Sequence, residues 1–281
     1  MEQVTVRVPA STSNLGPGFD CLGVALRLYN EVTVRRGETE PLAPMLREAA
    51  ELFFARSGAG PFPFACAISD DVPSSRGLGS SVTVRLGVMH GLNALAGRPL
   101  KREQIFELCV ALEGHPDNAA PAEFGGFNVV GGATRQRFLV AASLKFILLV
   151  PDFEVSTTAA RALLPEQVDR RGAVESAGNA AAIAAAFASR NYAALQGAFA
   201  DHLHQPFRKQ LVPFFDDAIR AAEDAGALGG FLSGSGSTVA AVTLRNAENV
   251  AAAMLLAGPL GARVFITTAD NRGARVLPTR S

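Results

Sequence analysis

Val72-Pro73-Ser74-Ser75-Arg76-Gly77-Leu78-Gly79-Ser80-Ser81 is the stretch that decides how this chain is read. It joins an expected strand, Phe64 to Ile68, to an expected helix from about Ser80 to Ala96. Gly77 and Gly79 tolerate φ values that other residues avoid, and a loop built on them exposes backbone N–H groups. Behind the loop, Val82, Leu86, Met89, Leu92 and Leu95 recur at helical spacing, and Ser80 or Ser81 suits the N-cap. The first-turn N–H groups and the positive end of the helix dipole then point at whatever the loop holds, so a polyphosphate is the natural guest. A P-loop would need a Lys behind its last Gly and a Rossmann fingerprint a third Gly, and neither is present. Alone, the segment has a second, less favoured reading as a Gly/Ser turn that caps a helix.

Two further segments add weight. Pro9-Ala10-Ser11-Thr12-Ser13-Asn14-Leu15-Gly16-Pro17-Gly18-Phe19-Asp20 follows an opening strand, Val4 to Val8, and reads as a polar, turn-rich loop that sets an amide and a carboxylate among glycines. Glu113-Gly114-His115-Pro116-Asp117-Asn118 ends a helix expected from about Lys101, with Pro116 stopping it. Taken singly, Asp20 and Asp117 read as turn or cap residues and His115 as a helix C-cap.

Elsewhere the pattern predicts strands at Asn30 to Arg36, 145–150, Val239 to Leu244 and Arg263 to Thr267. Helices are expected around Met45 to Arg56, Ala177 to Arg190, Pro213 to Ala225 and 246–257. Without a regular βαβ repeat this favours an α+β fold, and a length of 281 residues suits two domains, divided here as 1–143 and 144–281. Lys plus Arg and Asp plus Glu each number 26, so no global field draws nucleic acid or an anionic membrane. Neither a signal-peptide pattern nor an apolar run of membrane-spanning length is found, and a cytoplasmic location is expected. Cys21, Cys66 and Cys109 form no C-x-x-C pair, which argues against a disulfide framework or a zinc site.

Together, Pro9 to Asp20, Pro73 to Ser81, Glu113 to Ala122 and the Leu232-Ser233-Gly234-Ser235-Gly236-Ser237-Thr238 run resemble, in order, the motifs of the GHMP kinase superfamily and, within it, of the homoserine kinases. The resemblance covers most of the chain. It implies an N-terminal domain like ribosomal protein S5 domain 2, a ferredoxin-like C-terminal domain, and an active site in the cleft between them. The implied reaction takes ATP and Mg²⁺ and phosphorylates L-homoserine on the route to threonine, with this small molecule as partner rather than nucleic acid or membrane. A homodimer is the assembly considered.

By the same resemblance, ATP is expected at Pro73, Ser74, Ser75, Arg76, Gly77, Leu78, Gly79, Ser80, Ser81, Val82 and Thr83. The metal falls to Glu113 with Ser81, Glu107 being the competing carboxylate, and the catalytic set is Asp117, Glu113 and Asn14. Substrate is expected at Asn14, Asp20, His115, Asp117, Thr157, Arg161 and Arg208, the two arginines taking its carboxylate; without the resemblance both read as surface residues. Arg76 is either a cation for the phosphates or a solvated side chain. The sequence departs from the family pattern at Val82-Thr83-Val84-Arg85, where small residues are expected, and at Ser237, where Pro is usual.

Overall fold

The computed structural model describes residues 2–38, 40–69, 71–132 and 134–278. The chain opens with a long antiparallel hairpin, β1 (Gln3–Asn14) and β2 (Gly18–Arg36). Val4, Val6 and Val8 alternate with half-exposed neighbours, as a strand with one buried face requires. A register shift between Pro9 and Ala10 marks the point beyond which every residue of β1 is buried. The segment expected as a loop, Pro9 to Asp20, is therefore mostly strand. Its polar side chains misled the reading because both faces are covered and the hydroxyls find partners: Ser11 Oγ donates to Asn118 Oδ1 (2.9 Å), and Thr12 Oγ1 and Ser233 Oγ share a 2.8 Å bond.

Next come α1 (Pro44–Ser57), β3 (Phe64–Ile68), α2 (Ser80–Leu95), α3 (Arg102–Glu113), α4 (Ala119–Phe124), β4 (Phe127–Gly131) and β5 (Thr134–Phe138). All five apolar residues expected to face inward on α2 are buried, each contributing about 1.5–3 kcal/mol. The helix lies flat on β2 because Gly87 and Gly91 face it: a Cβ there would meet the Val32 and Val34 side chains at 2.3 and 2.4 Å. Its N-cap is neither serine but Gly79, in a left-handed conformation with φ 68°.

The second half holds β6 (Lys145–Val150), α5 (Thr157–Ala162), α6 (Arg170–Ser189), α7 (Gln205–Arg208), α8 (Phe215–Asp224), β7 (Gly229–Leu232), β8 (Val239–Thr243), α9 (Ala247–Ala257) and β9 (Arg263–Thr267). These strands form an antiparallel sheet in the order β7-β8-β6-β9, whereas the first sheet runs β10-β1-β2-β4-β5 with β3 also on β2. The final strand, β10 (Arg275–Val276), returns to pair with β1. Helix α6 starts seven residues before its expected beginning, because Asp169 caps it by accepting the Gly172 N–H at 3.0 Å. The short elements α4, α5, β4, β5 and β7 gave no strong periodic signal and were not anticipated.

The halves share one core. Leu22, Val24 and Leu26 of β2 pack with Phe146 and Leu148 of β6, and Phe127 stacks on Phe187 of α6 at 4.1 Å. On the other side of the first sheet, the fully buried Glu123 carboxylate accepts from His90 Nε2 (2.8 Å) and Arg102 Nε (2.6 Å), while Arg102 also donates to the Ala274 carbonyl (3.1 Å). That cluster ties α2, α3 and α4 to the returning C-terminal segment. No helix among the described residues is long and apolar enough to cross a membrane.

Candidate active site

A cleft of about 910 Å³ opens between the two halves, with residues 74–82 along one wall. Four consecutive carbonyls of the loop are each held from outside it. Ser75 O accepts from the Val155 N–H (3.2 Å), Arg76 O from the Thr238 N–H (3.3 Å) and Leu78 O from the Ser11 N–H (3.1 Å). Gly77 O accepts from Ser233 Oγ (2.7 Å). An N–H points opposite to the carbonyl of its peptide plane, so pinning the carbonyls outward turns the N–H edge toward the cleft. Residues 80–82 add first-turn N–H groups that have no helical acceptor, the helical ladder beginning with the Thr83 N–H on Gly79 O (3.0 Å). The loop is thus an anion-binding concavity at the N-terminus of a four-turn helix.

Arg76 is neither a free cation nor solvated. It donates through Nε to the Pro151 carbonyl (3.0 Å) and pairs with Glu154 (3.3 Å), fastening the loop to the end of β6. Pro73 and Thr83 stand off the cleft. Thr83 is fully buried, donating to Ser80 O (2.7 Å) and accepting from Asn30 (2.8 Å). The other expected nucleotide residues line the cleft, and beyond them Ala43, Met45, Leu46, Ile68 and Val84 add an apolar end that the sequence reading missed.

At the opposite end two arginines flank one aromatic ring. The Phe19 ring has the Arg161 guanidinium 5.4 Å from its centroid and that of Arg208 at 5.0 Å, and it stacks on His204 at 5.2 Å. Arg161, on α5, donates to Asp20 Oδ1 at 2.7 Å. Arg208, on α7, is buried and donates to the carbonyls of Gly234 (3.2 Å) and Ala160 (3.4 Å). Burial, followed by the neighbouring Arg161 charge, lowers its pKa to about 10, so it remains a cation at neutral pH. Burial likewise lowers His204 to about 4. The neutral imidazole then donates from Nε2 to the Gly16 carbonyl (2.7 Å), and its Nδ1 faces Arg208 Nη1 at 3.5 Å.

Asn14 is buried, and its amide is spent on the protein: Nδ2 donates to Gly234 O and Oδ1 accepts the Asp20 N–H, both at 3.0 Å. It lines the cleft but acts chiefly as a strut between the β1–β2 turn and the glycine motif before β8. Asp117 is 3% exposed. Burial pushes its carboxyl above the ordinary range, the Asp20 charge adds to this, and a Ser13 hydrogen bond opposes it. Gly23 permits this placement, since a Cβ there would lie 2.0 Å from Asp117 O. Asn118 braces the turn by donating to Ser13 Oγ at 2.9 Å. His115 and Thr157 also line the cleft, Thr157 Oγ1 lying 3.3 Å from Ser235 Oγ.

Glu113 closes α3 with Gly114 behind it in the left-handed region at φ 82°. Its Oε2 accepts from Ser81 Oγ (3.0 Å) and its Oε1 from Arg85 Nη1 (2.5 Å). Glu107 is exposed on α3, away from the cleft. Among the described residues no group of three or more His, Cys, Asp or Glu could hold a metal. One carboxylate beside one hydroxyl, at a helix N-terminus, fits instead a hard cation that keeps waters and takes phosphate oxygens, as Mg²⁺ does.

Comparison with known proteins places the chain. The family model described as GHMP kinases N terminal domain matches residues 44–126, and that described as GHMP kinases C terminal matches residues 172–259. A homoserine kinase of Caldicellulosiruptor bescii is 37% identical over 99% of this chain and 98% of its own length. One from Synechocystis is 39% identical over 86% of each chain. The crystal structure of a homoserine kinase from Cytophaga hutchinsonii superposes with a TM-score of 0.90 at 26% identity, covering 99% of this chain and 98% of that one.

Proposed function

The chain belongs to the GHMP kinases, among the homoserine kinases, and from that membership we propose that the cleft transfers the γ-phosphoryl group of ATP to the hydroxyl of L-homoserine. The products are O-phospho-L-homoserine and ADP, a step of threonine biosynthesis. The observation that carries the reading is the pairing, in one cleft, of a lysine-free backbone cradle at 77–81 with two arginines, Arg161 and Arg208, set around Phe19. The first suits a triphosphate and the second the carboxylate of a small amino acid.

Adenine takes the apolar end near Met45, Ile68 and Val84, and the loop N–H groups hold the β- and γ-phosphates. Mg²⁺, carried by Glu113 and Ser81, neutralises charge on the phosphate oxygens when bound. Arg161 and Arg208 take the homoserine carboxylate, Asp20 faces its ammonium group, and the hydroxyl points toward Asp117. As the hydroxyl oxygen forms its bond to γ-phosphorus, the bond from phosphorus to the ADP oxygen breaks and the hydroxyl proton passes to an Asp117 oxygen. A carboxyl held above its ordinary pKa is a somewhat better acceptor than a surface aspartate. The transition state is loose, so this assistance is modest and positioning dominates. We assign residues 1–143 to the nucleotide half and 144–281, apart from the final segment that returns β10 to the first sheet, to the half that completes the amino-acid site, in a cytoplasmic enzyme.

Coupled ADP release tests the assignment with Mg²⁺-ATP against homoserine, mevalonate, shikimate and galactose. Turnover with homoserine is expected; activity solely with a sugar refutes it.

A further inference from the structure

Helix α2 carries a second charge into the neighbourhood of Glu113. Ser81 and Arg85 are four residues apart and so share one face of α2, and each takes one oxygen of the same carboxylate: Ser81 Oγ holds Oε2 at 3.0 Å, and Arg85 Nη1 holds Oε1 at 2.5 Å. Arg85 is itself fixed. Nη1 also donates to the Leu112 carbonyl at the end of α3 (3.2 Å), and Nη2 reaches Glu48 of α1 at 3.3 Å. Both members of the pair are largely buried, at 13% and 11% side-chain exposure, whereas Glu48 is 55% exposed and its charge is correspondingly screened. Buried Arg85 Nε has no partner, so the guanidinium is oriented for its Nη contacts at the expense of Nε.

We propose that Arg85 is a positioning residue that occupies Glu113 until nucleotide arrives, so that the site takes its divalent cation together with the polyphosphate and not alone. This rests on the reading of Glu113 as the metal carboxylate. A cation approaching the nucleotide-free site meets a carboxylate whose charge is balanced by the guanidinium and whose two oxygens are both engaged. It must displace a charge-assisted hydrogen bond and accept repulsion from a fixed positive charge. A triphosphate reverses this balance. It brings negative charge to the N-terminus of α2, where Arg85, one turn behind Ser81, attracts it and relieves the repulsion between Glu113 and the phosphates.

Removing the guanidinium therefore moves two affinities in opposite directions, which mere loss of packing would not do. In Arg85→Ala, Mn²⁺ binding to the nucleotide-free protein, read from the electron paramagnetic resonance signal of free Mn²⁺, is expected to tighten at least about tenfold. Calorimetric affinity for ATP in EDTA is expected to weaken about three- to tenfold. Arg85→Gln, which keeps an amide donor beside Leu112 O but no charge, gives the same signs and serves where the alanine variant folds poorly. The double variant Arg85→Ala/Glu113→Gln is expected to return Mn²⁺ binding to the weak wild-type level. A folded Arg85→Gln protein with unchanged Mn²⁺ affinity overturns the proposal, as do two affinities that fall together. Glu113→Gln alone separates the layers: if it leaves Mn²⁺-ATP binding intact, the metal role of Glu113 fails and this inference with it. If it weakens that binding while the Arg85 variants change nothing, only the role of Arg85 fails.

Discussion

Replacing Gly77 with Ala isolates the contact that shapes the nucleotide loop. Gly77 has φ +72°, and a Cβ built there lies 2.0 Å from the Ser233 carbonyl oxygen and 2.9 Å from that of Gly236. The neighbours are backbone and cannot swing aside: Ser233 O already accepts the Gly236 N–H at 2.8 Å, and Gly77 O accepts Ser233 Oγ. Left-handed backbone costs an alanine about 1–2 kcal/mol. Separating the two glycine motifs by more than an ångström forfeits two hydrogen bonds worth about 1 kcal/mol each. The expected loss is about 3–4 kcal/mol of stability, with a large rise in the ATP KM because the carbonyl pinning that turns the N–H groups inward is undone. Gly58 supplies the control, since its φ is +69° but nothing lies within 4 Å of a Cβ there, so Gly58→Ala bears the backbone term alone. Urea unfolding and calorimetric ATP binding compare the two. If Gly77→Ala unfolds with Gly58→Ala and binds ATP like the parent, the packing of the two motifs does not hold the loop and the reasoning is wrong.

Asp117→Asn is expected to stabilise the protein at neutral pH. A carboxyl raised by burial opposes folding once ionised, its contribution to stability being lost as pH rises through the folded pKa, so a neutral isostere relieves the strain. The same variant raises the homoserine KM more than it lowers kcat, and a kcat loss of several orders at unchanged KM would contradict the modest base role. Arg161→Ala is expected to raise the homoserine KM about 10- to 100-fold, the scale of one charge-assisted hydrogen bond, with the ATP KM little changed; the opposite pattern in steady-state kinetics would move Arg161 to the nucleotide. Arg208→Ala adds a lowered melting temperature, because its buried guanidinium also carries the Gly234 and Ala160 carbonyls. Acid lability has two windows. His204 is lowered from 6.5 to about 4, so an unfolded chain takes up its proton first, and stability present above pH 6.5 is lost on descent toward 4, on the order of 3 kcal/mol in all. Burial pushes Glu123 up, but His90 and Arg102 together outweigh it and hold it below the ordinary range. Its share is therefore lost only at carboxylate pH. Urea midpoints that stay flat from pH 7 to 5 would exclude the histidine contribution, and His204→Gln shifts the onset downward if it is present.

The helix behind the loop was legible because its apolar residues obey one period and all meet the same sheet. So was Glu113 at a helix end, whereas the grouping of Asp20, Asp117, Arg161 and Arg208 along one cleft followed from the family resemblance and not from their local pattern. What escaped the sequence depends on partners far along the chain. Ser11, Thr12 and Ser13 look like loop residues until Asn118 and Ser233 are seen to satisfy them. Nothing local to Arg208 announces a buried arginine; its acceptors come from residues 160 and 234. Thr83, expected by the resemblance as a nucleotide contact, turns inward because helical geometry carries it to the sheet side, where Asn30 holds it. Phe19 and His204 were visible as letters, yet the place of Phe19 against both arginines, with His204 stacked on it, exists only once remote segments meet.

Three of the four donors that hold the loop carbonyls, Val155, Ser233 and Thr238, come from beyond residue 143. A polypeptide cut there would carry the whole glycine stretch and still present it in the wrong shape, so the grip on ATP is a property of the docked pair rather than of either piece. Nucleotide occupancy is in turn expected to stiffen the seam where the halves meet, so that heat melts them as a single unit whenever ATP is present.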